Sequence, residues 1–320
     1  MKRATIAILC FALCSAANAQ QRLREGLIID GARNTAYVMT PNGGIAAVNL
    51  LTGNVQWKSE TAAKPLGLVG TRLVSQVEPK TAAEVNMLTI AVLDVQQRGA
   101  MITRKAMKLP ANVRAAVAGA MNGRFSAVAT GSGSNAVITW TYTPIPQLRG
   151  MPELPEETLE REQAAAAPKA ASKPMSGSMR MNLRSGAMSV MRNAEAARAI
   201  ATPTWVIPAS QIDASPATQY ESADGRHILT SERVADDPEW NRYQWTITDR
   251  ATGQRVGQFR NHISFSPFVV RDSIIAYETT PYMHEGDEQP AKLRGVDLRT
   301  GREVWSVEVR ELVYRGPTPP

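Results

Sequence analysis

The chain has 320 residues, a formal charge of +7, 43% apolar residues and two cysteines. That length and apolar share are enough for one or two hydrophobic cores. The charge is mild and its Lys and Arg are scattered, which excludes the clustered basic and aromatic pattern of a nucleic-acid groove.

In chain order, the first element is a targeting segment. Lys2 and Arg3 precede an apolar run over residues 4–14, and Ala17-Asn18-Ala19 supplies the small residues a signal peptidase reads. A signal peptide over residues 1–19 is expected, with Gln20 as the mature N-terminus. The run is shorter than the roughly 20 residues a bilayer span needs, and neither Cys10 nor Cys14 follows a small-residue box of the lipoprotein kind. Both cysteines leave with the leader, so thiolate nucleophiles, thiolate metal sites and disulfides are excluded from the mature protein. Loss of Lys2 and Arg3 lowers the formal charge from +7 to +5. No later apolar stretch reaches spanning length, so no transmembrane segment remains after signal removal, and a periplasmic or secreted location is expected.

Residues 36–39, 45–50 and 55–57 read as three short strands separated by turns at 40–44 and 51–54. Asn-Gly and Thr-Gly at these turns supply the positive φ that tight hairpins demand. The phrase AVNLLTGNVQW at 47–57 recurs as GVDLRTGREVW at 295–305, with a looser copy, WTITDRATGQRVG, at 245–257. Two worn copies lie at 90–99 and 179–186. The turn glycines Gly53, Gly99, Gly186, Gly253 and Gly301 mark the five copies, and spacings of 46 residues between the first pair and 48 between the last fit one four-stranded blade. The expected fold is therefore all-β: a β-propeller of about five four-stranded blades, PQQ- or WD40-like, over residues 20–320. A sixth blade hidden near residues 193–219 stays open.

Between about residues 147 and 177 the composition changes. Prolines are followed by Glu156, Glu157, Glu160, Glu162 and an alanine run, with almost nothing apolar to bury. The flanking segments at 137–142 and 178–183 read as two strands of one hairpin, so this is expected to be a disordered insertion inside the third blade. It could tether a partner or simply be a tolerated loop.

The recurring (A/G)-V-(N/D)-L-x-T-G-x-x-x-W phrase resembles the PQQ-type repeat of quinoprotein β-propellers, and Ser222-Ala223-Asp224-Gly225-Arg226 resembles the S-x-D-G-R turn of TolB-like blades. The resemblance implies that Trp57 and Trp305 pack between blades. Quinoprotein dehydrogenases hold PQQ over an axial Trp with a Ca²⁺ bound by Glu, Asn and Asp, on eight blades. This chain is too short for eight and offers no such set, so it resembles a non-catalytic member, and no cofactor is expected.

Of the three histidines, His227 and His262 fall at strands, where packing or edge roles are expected. His284, Glu285, Asp287 and Glu288 form the one cluster of metal-ligand types, and the same residues also suit a solvated hairpin loop. The Gly-rich run 131–135 lies strand to strand, so it reads as a hairpin turn and not a phosphate-binding loop. Trp140, Trp205, Trp240 and Trp245 read as inter-blade packing. The expected function is that of an exported, non-enzymatic interaction scaffold whose partner is another envelope protein. The alternative is an envelope enzyme or ligand-binding protein that uses the central funnel. Ring closure is expected from pairing of the strand near residues 27–29 with the last blade near 304–309.

Overall fold

The computed structural model describes residues 21–81, 84–111, 113–114, 123–144, 175–191, 219–234, 243–284 and 287–310. The expected signal peptide, nearly all of the expected insertion, the sixth-blade candidate up to residue 218, and Trp205, Trp240 and Glu285 lie outside the described residues. The last three residues of the expected insertion, Met175 to Gly177, lie in a strand instead.

Five meandering antiparallel sheets follow one another along the chain. Blade 1 holds β1 (Gln21–Arg24), β2 (Leu27–Asp30), β3 (Thr35–Met39), β4 (Ile45–Asn49) and β5 (Val55–Ser59). Blade 2 holds β6 (Lys64–Val69), β7 (Arg72–Gln76), β8 (Met87–Asp94) and β9 (Ala100–Lys108). Blade 3 is β10 (Gly123–Ser132), β11 (Asn135–Pro144), β12 (Met175–Asn182) and the short β13 (Met188–Val190). Blade 4 is β14 (Gln219–Glu221), β15 (His227–Arg233), β16 (Tyr243–Asp249) and β17 (Arg255–Asn261). Blade 5 opens with β18 (Phe268–Arg271) and β19 (Ile274–Thr279), carries a separate hairpin of β20 (Tyr282–His284) and β21 (Asp287–Gln289), and ends with β22 (Lys292–Asp297) and β23 (Arg302–Glu308).

Central strands are apolar at nearly every position because both of their faces are covered: all of β3 is buried, as is β4 up to Asn49. Outermost strands alternate, and β5 buries only Trp57. Neighbouring blades share their cores. Ile28, Tyr37, Ala47 and Trp57 of blade 1 pack with Leu73, Ala91 and Leu93 of blade 2. Blade 2 meets blade 3 through Ile90, Val92, Ile138, Trp140, Met179 and Met181. Blade 4 meets blade 5 through Leu229, Trp245, Ile247, Phe268 and Ile275. Blade 5 meets blade 1 through Leu293, Trp305, Leu27, Ile29 and Val48. Consecutive blades joined face to face, with the last against the first, define a β-propeller. Among the described residues, no shared apolar cluster joins blades 3 and 4.

Closure differs from the expectation. β2 pairs with β1 and β3, and β23 pairs with β22. No strand is exchanged. The ends meet through packed faces, because every blade completes its own sheet from one contiguous stretch of chain. Beyond β23, Arg310 crosses blade 1, where its amide donates to the Met39 carbonyl at 3.0 Å. Its guanidinium reaches both Glu78 carboxylate oxygens on blade 2 at 2.7 Å.

A meander sends alternate connections to opposite ends of the sheet. At one end of each blade all turns are short, from two residues (70–71, 133–134, 272–273) to five (50–54, 95–99, 183–187, 250–254). Every long connection, including 145–174, leaves from the other end.

Candidate functional site

The repeat phrase builds one turn five times. Asn49 ends β4, and its side-chain oxygen accepts from the amides of Leu51 (2.9 Å) and Thr52 (3.0 Å). Its carbonyl accepts from the Gly53 amide at 2.8 Å, with Gly53 at φ 72°. Asp94, Asn182, Asp249 and Asp297 repeat the arrangement ahead of Gly99, Gly186, Gly253 and Gly301. A register shift follows the turn in four of the five blades. This is why Asn or Asp stands ahead of the glycine, by four residues in four turns and by five before Gly99: its short polar side chain caps the turn amides.

The glycines have a second role. A β-carbon on Gly99 would lie 2.5 Å from the Trp57 ring, and one on Gly53 would lie 2.5 Å from Trp305 Cβ. Each Trp therefore closes onto the turn glycine of the next blade, and Trp305 onto Gly53 is the ring closure itself. Gly186 receives Thr103 and the stem of Lys105, and Gly301 lies against Gln258 and Phe259 of blade 4. Gly253 has open space around it. At the Trp position of blade 4, Gly257 lets Leu298 of blade 5 approach its backbone directly.

Of the other tryptophans read as inter-blade packing, the two described, Trp140 and Trp245, pack there. Trp140 lies over Gly177 inside the blade 2–3 core, and Trp245 is fully buried with its indole N–H donating to the Ile263 carbonyl at 2.8 Å. Residues 131–135 form the expected β10–β11 hairpin turn.

Of the candidate metal cluster, Glu285 lies outside the described residues, and the backbone places the other three on one hairpin. His284 and Asp287 are register partners across β20 and β21, whereas Glu288 pairs with Met283 and so projects to the opposite face of that hairpin. Asp287 and Glu288 are exposed. No group of three or more His, Cys, Asp or Glu positioned for a metal exists among the described residues. His262 stacks on Tyr282 with ring centroids 4.2 Å apart. His227 is half-buried at the start of β15; burial pushes its imidazole below the ordinary 6.5, and nearby Asp224 and Asp249 oppose that.

The S-x-D-G-R turn is a joint. Ser222 Oγ donates to Asp224 Oδ1 at 2.6 Å and accepts from the His227 amide at 3.0 Å. Arg271 of blade 5 donates to Asp224 Oδ2 at 2.8 Å, and its other terminal nitrogen lies against Gly31 of blade 1. Burial raises the Asp224 carboxyl, but the bonds from Ser222, Arg271 and the Arg226 amide outweigh it and hold it below the ordinary 3.8. Ser222, Asp224 and Arg271 are thus committed to holding three blades together.

A feature the sequence reading missed lies on the rim of blades 2 and 3. A shallow groove of about 400 Å³ runs between β9 and β13, lined by Lys105, Ala106, Met107, Gly186, Ala187, Met188 and Val190. Val190 is 78% exposed, and Met101 on the same outer strand is 49% exposed. The signal was readable: no Asp or Glu occurs from residue 95 to 144 or from 175 to 191. Counting scattered cations conceals this, because what distinguishes the sector is missing acid.

Among the described residues no helix is long and apolar enough to cross a membrane. No family model and no curated protein matches the chain. Among solved structures it is similar to the β-propeller domain of Myceliophteria thermophila Cps50 (Swd1), at 11% identity over 92% of this chain and 90% of that one, with a TM-score of 0.26. It is also similar to a europium-containing methanol dehydrogenase, at 12% identity over 86% of this chain and 67% of that one, with a TM-score of 0.23. The propeller assignment itself rests on the five sheets and their shared cores.

Proposed function

We propose that this protein is an exported, non-enzymatic propeller of the PQQ-like repeat type that serves as an interaction scaffold in the cell envelope. The observation that carries the reading is the rim groove of blades 2 and 3, where apolar and cationic side chains face solvent on a rigid sheet framework. Patches of that mixed kind mark association surfaces. The polar residues best suited to chemistry support it from the other side: Asp30, Asp94, Asp224, Asp249 and Asp297 are engaged in capping turns. The apolar run at 4–14 and the Ala17-Asn18-Ala19 box support export through a peptide cleaved after Ala19. The partner is another envelope protein, not a nucleic acid.

The test is affinity capture from a detergent-solubilised envelope fraction, with residues 20–320 as bait. A stoichiometric protein partner is the expected result. A purified native protein that carries a metal or small molecule, and captures nothing, would favour the funnel-enzyme reading instead.

A further inference from the structure

Resting on that scaffold reading, we infer that the groove between β9 and β13 docks an extended, acidic segment of the partner protein. Charge supplies the first argument. Arg98, Arg104, Lys105, Lys108 and Arg184 are all exposed, and the stretches 95–144 and 175–191 contain no carboxylate side chain. Five arginines elsewhere meet an acid within the protein: Arg33 meets Asp30, Arg250 Glu221, Arg271 Asp224, Arg294 Glu303 and Arg299 Asp297. The outer strand of blade 2 and the described part of blade 3 carry cations and no acid of their own, so an acidic ligand would gain complementarity there.

Shape and chemistry of the floor supply the second argument. Met107, Met188 and Val190 line the groove, and methionine adapts its shape to varied ligands. Lys105 is pre-positioned: its aliphatic stem lies over Gly186, where a β-carbon would sit 2.9 Å from Lys105 Cγ, while the residue as a whole stays exposed. Backbone supplies the third. Among the described residues β9 is paired along one edge only, with β8, and β13 only with β12. Both outer edges offer unpaired amides and carbonyls to an added strand, which explains why the ligand should be extended. An alternating acidic and small apolar segment would place a carboxylate toward Lys105 and apolar side chains on the methionines.

The chain's own acidic stretch is the competing occupant. Glu153, Glu156, Glu157, Glu160 and Glu162 are the only acids between Asp94 and Glu195. The experiment uses residues 20–320 and a fluorescent ten-residue peptide alternating Glu and Val, with a Lys-Val peptide as control, read by anisotropy at low and high salt. The Glu-Val peptide should bind in a salt-sensitive manner. The variant Lys105→Glu should weaken it about tenfold. Arg255→Glu, a reversal on the outer strand of blade 4, should leave it unchanged. Equal loss in both variants, or loss in neither, would overturn the assignment. Binding that appears only when residues 151–174 are deleted would also overturn it and give the groove to the chain's own glutamates. The same variant, used as bait in the envelope capture, separates the two readings. A partner retained by Lys105→Glu leaves the scaffold standing and removes this groove from it. Peptide binding without any captured partner does the reverse.

Discussion

Blades 1 and 3 share one strand plan and the same capped glycine turn, yet they are held in place differently. Blade 1 is clamped on both faces, toward blade 2 by Tyr37 and Trp57 and toward blade 5 by Ile29, Val38 and Val48. Among the described residues, blade 3 shares an apolar cluster only with blade 2. The strand registers place Ser126, Thr130, Thr139, Thr141, Ser176 and Arg180 together on its other face, with Val128 and Val137 among them. Some of these hydroxyls satisfy each other, as Thr139 and Ser178 do at 3.3 Å. Blade 4 answers with a comparable surface, since Thr230, Thr246, Thr248, Gln244 and Gln258 lie on the side away from blade 5. The difference teaches that cohesion in this ring is uneven: burial stabilises at roughly 25 cal/mol per Å² of apolar surface, and one of blade 3's two faces contributes little of it.

That contrast can be broken most forcefully at the closing seam. Trp305 is buried between Gly295, its register partner, and Gly53 of blade 1. Trp305→Ala should cost about 3–5 kcal/mol through lost burial and the cavity left behind, measured by urea denaturation. A loss under about 1 kcal/mol would show that the 5–1 seam does not hold the ring.

Two glycines with the same backbone then isolate the packing contribution. Gly53 has φ 72° and Gly253 has φ 70°, but a β-carbon meets Trp305 at the first and nothing within 4 Å at the second. Gly253→Ala should cost only the left-handed backbone penalty, about 1–2 kcal/mol. Gly53→Ala adds overpacking against the indole, for a total of about 2–4 kcal/mol. Equal losses would erase the distinction between the blade 1 and blade 4 turns. Native-state hydrogen exchange sharpens the same point without mutation: amides of β12 should exchange faster than those of β3 and β4, because local opening follows local burial.

Much of this architecture was legible in the residues. Gly53, Gly99, Gly186, Gly253 and Gly301 each mark a turn between the last two strands of a blade, and Trp57 and Trp305 each pack across a seam, because the Asn/Asp-x-x-x-Gly spacing is a local code for a capped turn. What was not legible is non-local. Closure through packed faces instead of strand exchange depends on where Leu27 and Ile29 meet Trp305, almost the whole chain away. Met175 to Gly177 read as part of a polar insert because Ser and Gly carry no strand signal, yet their pairing with Trp140, Thr141 and Tyr142 of β11 makes them strand. Among His284, Glu285, Asp287 and Glu288, sequence adjacency does not show the strand pleat, which puts Glu288 and Asp287 on opposite faces of the hairpin. The rim groove escaped for the same reason, since β9 and β13 come together only when the blades stack.

The smallest expected effect concerns His227, on the blade 4–5 seam. His227 projects to the same side of β15 as Leu229, toward blade 5. Burial lowers its pKa from the ordinary 6.5, with Asp224 and Asp249 pulling the other way. The unfolded chain therefore takes up this proton more readily than the folded one, so the neutral imidazole favours the folded state fully above pH 6.5. That advantage fades as the pH falls below 6.5 toward the lower folded value. Urea midpoints of the wild type should decline across that window, and His227→Gln should flatten the decline while leaving the midpoint near pH 8 almost unchanged. The residue is only half-buried, so the slope will be shallow. A slope that persists undiminished in His227→Gln would move the titrating group elsewhere and leave the 4–5 seam as indifferent to pH as the Trp305 seam beside it.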